Sequence, residues 1–144
     1  MKNSKNVLYS GVVAIAAMCF SVNAHALDMW HSNTVWANQG MCAANFTFDS
    51  GMELVGNLKV SIVAVEKGTN KIKGQGVIEL EDFGESSADR YAIGYWESEL
   101  ACDDNLYLVV TEAKADIDGV REDLLEKGLL RAREFAPYQI RIER

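Results

Sequence analysis

Residues that carry chemistry are scarce in this chain. It has two histidines, three cysteines and one proline in 144 residues. Beyond residue 26 only His31 remains, in the context Trp30-His31-Ser32-Asn33, and no G-x-S-x-G elbow accompanies it. A Ser-His-Asp site needs its histidine oriented by a carboxylate beside an activated serine, so the pattern does not support acyl transfer. Zinc is unsupported as well, because Cys42, Cys102 and one histidine do not make ligand spacing. Gly74-Gln75-Gly76 lacks the Lys-Ser/Thr ending of a phosphate loop. Asp116-Ile117-Asp118-Gly119 begins like a calcium loop but has neither the third acidic ligand nor the terminal Glu. Glu79/Glu81 and Glu97/Glu99 lie at i, i+2, the spacing of a solvated strand face as much as of an acid pair. The sequence therefore predicts no catalytic residue, no cofactor and no metal, and a protein that is not an enzyme.

Basic clusters are also missing. Fourteen Lys and Arg stand against 21 Asp and Glu, for a formal charge of −7. That balance disfavours nucleic acid and anionic membranes, and suits basic protein surfaces or simple solubility.

The chain has one long apolar run, Val7 to Phe20. It follows Lys2 and Lys5 and precedes Ser21-Val22-Asn23-Ala24-His25-Ala26, where Ala24 and Ala26 form an A-x-A site. These are the three parts of a cleavable signal peptide; a membrane anchor wants roughly 20 apolar residues. A lipoprotein reading on Cys19 is poor, because bulky Met18 stands where a small residue is wanted. Residues 1–26 are thus predicted to be removed before Leu27, leaving a single domain over 27–144 with no membrane-inserted segment. All 21 acidic residues lie in that part, so losing Lys2 and Lys5 takes the charge from −7 to −9. The product is exported to the periplasm, the exterior or both.

Cys42 and Cys102 then remain as an even pair in an oxidising compartment, predicted to form one structural disulfide. Strand patterning dominates the rest. Cys42, Ala44, Phe46 and Phe48 alternate with Ala43, Asn45, Thr47 and Asp49; Leu58, Val60, Ile62 and Ala64, then Tyr91, Ile93 and Tyr95, then Leu106, Leu108 and Val110, and finally Tyr138, Ile140 and Ile142 show the same period of two. Thr34–Ala37 and 71–82 are weaker candidates. Asp118-Gly119 signals a two-residue hairpin. Residues 121–127 favour a short helical turn stopped by Gly128, followed by a strand near 129–135, with Pro137 as a breaker. Seven to eight short strands predict an all-β sandwich of immunoglobulin or fibronectin type III kind, with a small barrel as the alternative. Cys42 and Cys102, placed on apolar strand faces, would pin the facing sheets together.

The remaining candidates are aromatic. Trp30, Trp36, Tyr95 and Trp96 are predicted partner-binding residues, since exposed Trp and Tyr anchor interfaces. Tyr95 and Trp96 are adjacent, so a strand points them to opposite faces.

Three stretches carry a resemblance: Met1-Lys2-Asn3-Ser4-Lys5-Asn6-Val7-Leu8-Tyr9, Leu27-Asp28-Met29-Trp30-His31-Ser32-Asn33-Thr34-Val35-Trp36, and Phe135-Ala136-Pro137-Tyr138-Gln139-Ile140-Arg141-Ile142. Over its whole length the chain resembles the interleukin receptor mimic protein A family of small exported enterobacterial proteins. The resemblance implies a fibronectin type III-like sandwich, a homodimer, and a secreted, virulence-associated module that binds host cytokines or their receptors. It assigns no contact residue. The alternative reading is a periplasmic or surface subunit of the envelope or a pilus.

Overall fold

A computed structural model describes residues 27–133 and 139–142. The predicted signal peptide, with Ala24 and Ala26, lies outside the described residues, as do Phe135, Pro137 and Tyr138. The elements are β1 (Leu27–Trp36), β2 (Cys42–Asp49), β3 (Val55–Glu66), β4 (Ile72–Leu80), β5 (Tyr91–Ser98), a 3-10 turn (Leu100–Cys102), β6 (Leu106–Ile117), β7 (Val120–Asp123), β8 (Leu130–Ala132) and β9 (Ile140–Ile142).

The first sheet has the order β5-β2-β1-β8, and the second β4-β3-β6-β7 with β9 also paired to β6. The two sheets form the expected sandwich. β4 pairs with β3 rather than β5, so the fourth strand sits in the opposite sheet from its place in the constant immunoglobulin domain. Period-two patterning builds the core. β2 buries Cys42, Ala44, Phe46 and Phe48, and β3 buries Leu58, Val60, Ile62 and Ala64. In β6 the buried set runs Leu106, Leu108, Val110 and then shifts to Ala113 and Ala115. A bulge explains the change of parity: Ser61 faces Glu112 while Ile62 faces Val110, leaving Thr111 as the extra residue.

The end of the chain differs from expectation. Nine strands are described rather than seven or eight, because the stretch after Gly119 is cut into three short ones. The Asp118-Gly119 hairpin forms as predicted, with φ of 49° and 84°, and turns β6 back into β7. Residues 121–123, expected in a helical turn, are strand. Packing on β6 overrides local helix preference there, since Leu124 is buried and its N–H bonds Ala113 O. The turn follows instead, where the Asp123 carboxylate accepts from the N–H groups of Leu125 and Glu126.

The disulfide Cys42–Cys102 is present, with Cα atoms 5.1 Å apart. Its placement needs a correction. Cys102 is not on an apolar strand face but exposed in the 3-10 turn that carries the chain from β5 of the first sheet to β6 of the second. Ala101 is the residue of that turn that points inward. The bond therefore ties a crossover to the start of β2. Among the described residues, no helix is long and apolar enough to cross a membrane.

Candidate binding face

The outer face of the first sheet is built from odd-numbered positions of β2 and β5. Registered rows run Trp30–Thr47–Ile93 and Asn33–Asn45–Tyr95, and at one end Arg131–Asp28–Asp49–Tyr91. Tyr91, Ile93 and Tyr95 are 56%, 63% and 60% exposed. Between them Ala92, Gly94 and Trp96 point inward. This is the reverse of the usual preference, in which the bulkier apolar set faces the core. The cause lies in the facing sheet. A Cβ on Gly94 would sit 2.5 Å from Ile78 Cγ2 and 3.4 Å from Leu80 Cγ. β4 already fills the space beside Gly94, so the face of β5 that carries Ala92 and Gly94 is the one that fits inside there, with Trp96 packed over Gly76, and three large apolar side chains are left in water.

Trp96 is accordingly withdrawn from the predicted contact set. It is 5% exposed, and its ring occupies the place where a Cβ of Gly76 would be, 2.4 Å from the indole. Tyr95 and half-buried Trp30 are on the face. Trp36 is 73% exposed but stands at the far end of β1, about 20 Å from Trp30 at the usual strand rise. The structure does not bring it together with the others.

Sequence reasoning missed the charged half of this face. Asp28 and Asp49 lie directly opposite each other, on outward positions, yet both are buried. A buried carboxylate is costly unless paired, and here the pairing is dense. Arg90 donates from Nε and Nη2 to the two oxygens of Asp49 at 2.7 and 2.9 Å. Arg131 Nε donates to Asp28 Oδ1 at 2.8 Å, while Arg133 donates to Oδ2 from Nη2 and Nε at 2.6 and 3.0 Å. The Arg90 hydrogen bonds hold the Asp49 carboxyl below the usual carboxylate range. Arg90 also lies over the Tyr91 ring, 5.3 Å from its centroid, and Arg133 over the Trp30 ring at 5.4 Å. Trp30 and Tyr91 meet edge to face at 6.4 Å. The result is a ladder of guanidinium and aromatic groups across three strands. The polar parity of Asp49 was visible in β2; its burial was not, because it depends on Arg90 folding back over it.

The global acidity thus misdescribes this surface. The sequence's acidity suited basic protein surfaces or simple solubility, but on this face the carboxylates are sunk and the guanidiniums cover them.

His31 is buried beside this face, pointing inward under the β1 bulge where Ser32 is the extra residue. Its Nε2 lies 2.8 Å from Thr34 Oγ1, and its ring packs edge-on against Phe46 at 5.6 Å. That is the position of a core histidine. Desolvation lowers its pKa below the ordinary value of 6.5. The unfolded chain then binds the proton more readily than the folded one, so stability is lost as pH falls below about 6.5, down to the lowered folded value. The melting temperature is expected to drop between pH 7.5 and 5.5. His31→Phe should flatten that slope, and equal slopes in the two proteins would show that His31 is not its source.

The second sheet offers a hollow of about 500 Å³ lined by Asn57, Leu58, Lys59, Glu79, Leu80, Glu81 and Arg121, with charges of both signs. Asp116, from the calcium-like fragment, is engaged by Asn57 Nδ2 at 2.9 Å and Arg121 Nη1 at 3.3 Å.

Comparison with known proteins narrows the reading. The family model described as interleukin receptor mimic protein A matches residues 27–132. Among solved structures, IrmA from Escherichia coli is similar, with 24% identity and a TM-score of 0.65, over 80% of this chain and 97% of that one. No curated protein sequence matches.

Proposed function

Because this chain belongs to the interleukin receptor mimic protein A family, we propose that it is an exported, non-enzymatic module that binds host cytokines or their receptors through the outer face of its first sheet. The observation that carries the proposal is the exposed row Tyr91, Ile93, Tyr95 beside Trp30. A sheet face with these residues in water is a protein-interaction surface in waiting, since Tyr and Trp dominate interface energetics. The family match begins at Leu27, the residue after the predicted cleavage site, which supports export. The Cys42–Cys102 disulfide supports an oxidising destination. In this reading the protein works as a homodimer, as the family resemblance implies.

The test is a biosensor panel of cytokines and interleukin receptor ectodomains against the purified protein. Saturable binding to a panel member is expected, weakened tenfold or more by Tyr95→Ala. A folded protein that binds nothing on the panel would overturn the reading, and would favour a structural subunit of the envelope instead.

A further inference from the structure

The ion cluster on the binding face has a surplus. Three guanidiniums meet two carboxylates. Each guanidinium has five N–H donors. Asp28 and Asp49 together take Nε of all three arginines and Nη2 of Arg90 and Arg133. Both terminal nitrogens of Arg131, and Nη1 of Arg90 and of Arg133, are left unused by either aspartate. The exposure is equally lopsided. The side chains of Arg131, Arg133 and Arg90 are 67%, 50% and 38% exposed, against 5% and 6% for Asp28 and Asp49. An approaching partner meets cations, on a chain whose formal charge is −7.

We propose that this face takes an acidic segment of a protein partner, with a carboxylate seated on the guanidinium nitrogens of Arg131 and Arg133 that Asp28 and Asp49 leave, and the neighbouring apolar side chains resting on Tyr91, Ile93 and Tyr95. This rests on the reading of the face as a protein-binding surface and adds the chemistry of what binds there. Carboxylates match the planar fork of arginine in a way that a lysine ammonium does not require. Two of the three forks are also held in place before binding, and Arg131 is tethered through its Nε to Asp28. Arg133 is fixed between Asp28 and the Trp30 ring, and Arg90 between Asp49 and the Tyr91 ring. A donor already ordered loses little entropy on capture, which favours affinity. The apolar side chains begin in the cluster's own register row, where Tyr91 pairs with Asp49, and Ile93 stands two positions on, in the row of Trp30. A segment crossing the face therefore meets both chemistries at once. The rest of the acidic chain repels an acidic partner from other approaches, which fixes the docking orientation.

The experiment titrates the purified protein with three probes while following its backbone amide resonances. The probes are an acidic-apolar peptide (acetyl-Leu-Glu-Tyr-Glu-Leu-amide), its Lys-for-Glu counterpart, and a sulfated heparin tetrasaccharide. The acidic peptide is expected to shift amides of β1, β2, β5 and β8 only, with its dissociation constant rising several-fold from 50 to 300 mM NaCl. Arg131→Glu should weaken it about tenfold while leaving the resonances of the second sheet in place, which shows that the variant is folded. Arg131→Gln should fall between the two. Equal or tighter binding of the lysine peptide overturns the proposal, and so does sulfated sugar binding where the acidic peptide does not. The two readings fail separately. If a panel protein binds and is lost in Tyr95→Ala but not in Arg131→Glu, the face stands and the acidic partner falls. If neither variant changes its binding, both fall.

Discussion

Replacing both Cys42 and Cys102 by serine is expected to lower the unfolding free energy by about 4 kcal/mol, the value the chain-entropy model assigns to a loop of this length. The sequence separation is 60, so the cross-link removes a large closure entropy from the unfolded chain. In the folded chain it holds the 3-10 turn that passes between the sheets. Leu100 in that turn reaches β4, where its Cδ1 lies 2.4 Å from the Cβ position of Gly74. Loss of the bond therefore loosens the seal at that edge as well. Urea unfolding of the double variant and the parent reads the difference directly. Equal unfolding free energies would mean that the bond contributes nothing. Because Cys102 is exposed, a mild thiol should produce the same loss in the parent without denaturant.

The second large effect separates two neighbours. Trp96→Ala is expected to cost about 3–5 kcal/mol, the range for removing a buried large aromatic, because the indole fills the gap over Gly76. Tyr95→Ala, one residue earlier, should stay within about 0.5 kcal/mol of the parent, as exposed positions do. The binding assay should invert the order at Tyr95, where affinity falls although the fold does not. Comparable stability losses in both variants would show that Tyr95 is part of the packing and that the face is not a free surface.

Much of the scaffold was legible in the residues. The alternation in β2, β3 and the first half of β6 named the buried set, since a strand with one face in the core must repeat every second residue. The Asp118-Gly119 pair predicted its hairpin because both positions need positive φ, which this dipeptide tolerates. The disulfide pairing followed from having two cysteines left beyond residue 26. Cys102 was misplaced because Leu100-Ala101-Cys102 carries apolar residues at a strand-like period, while the chain there has to turn between sheets. The helical turn shifted because Arg121–Asp123 gain ladder bonds to β6 that local propensity cannot anticipate.

The residues alone thus determined the cysteine pairing and the two faces of β2, β3 and the first half of β6. They did not determine which face of β5 turns inward, because alternation defines two faces and leaves their choice to whatever lies opposite. Ile78 and Leu80 made that choice, and with it put Tyr91, Ile93 and Tyr95 in water. Nor could they show the ion cluster. Asp28, Asp49, Arg90, Arg131 and Arg133 come from β1, β2, the end of the loop before β5, and β8 with the residue after it. Apart from Arg131 and Arg133, two residues apart, no spacing along the chain links them. Only the order β5-β2-β1-β8 brings two buried carboxylates and three guanidiniums to one end of one face, and the cost of burying those carboxylates holds the arginines where a partner would meet them.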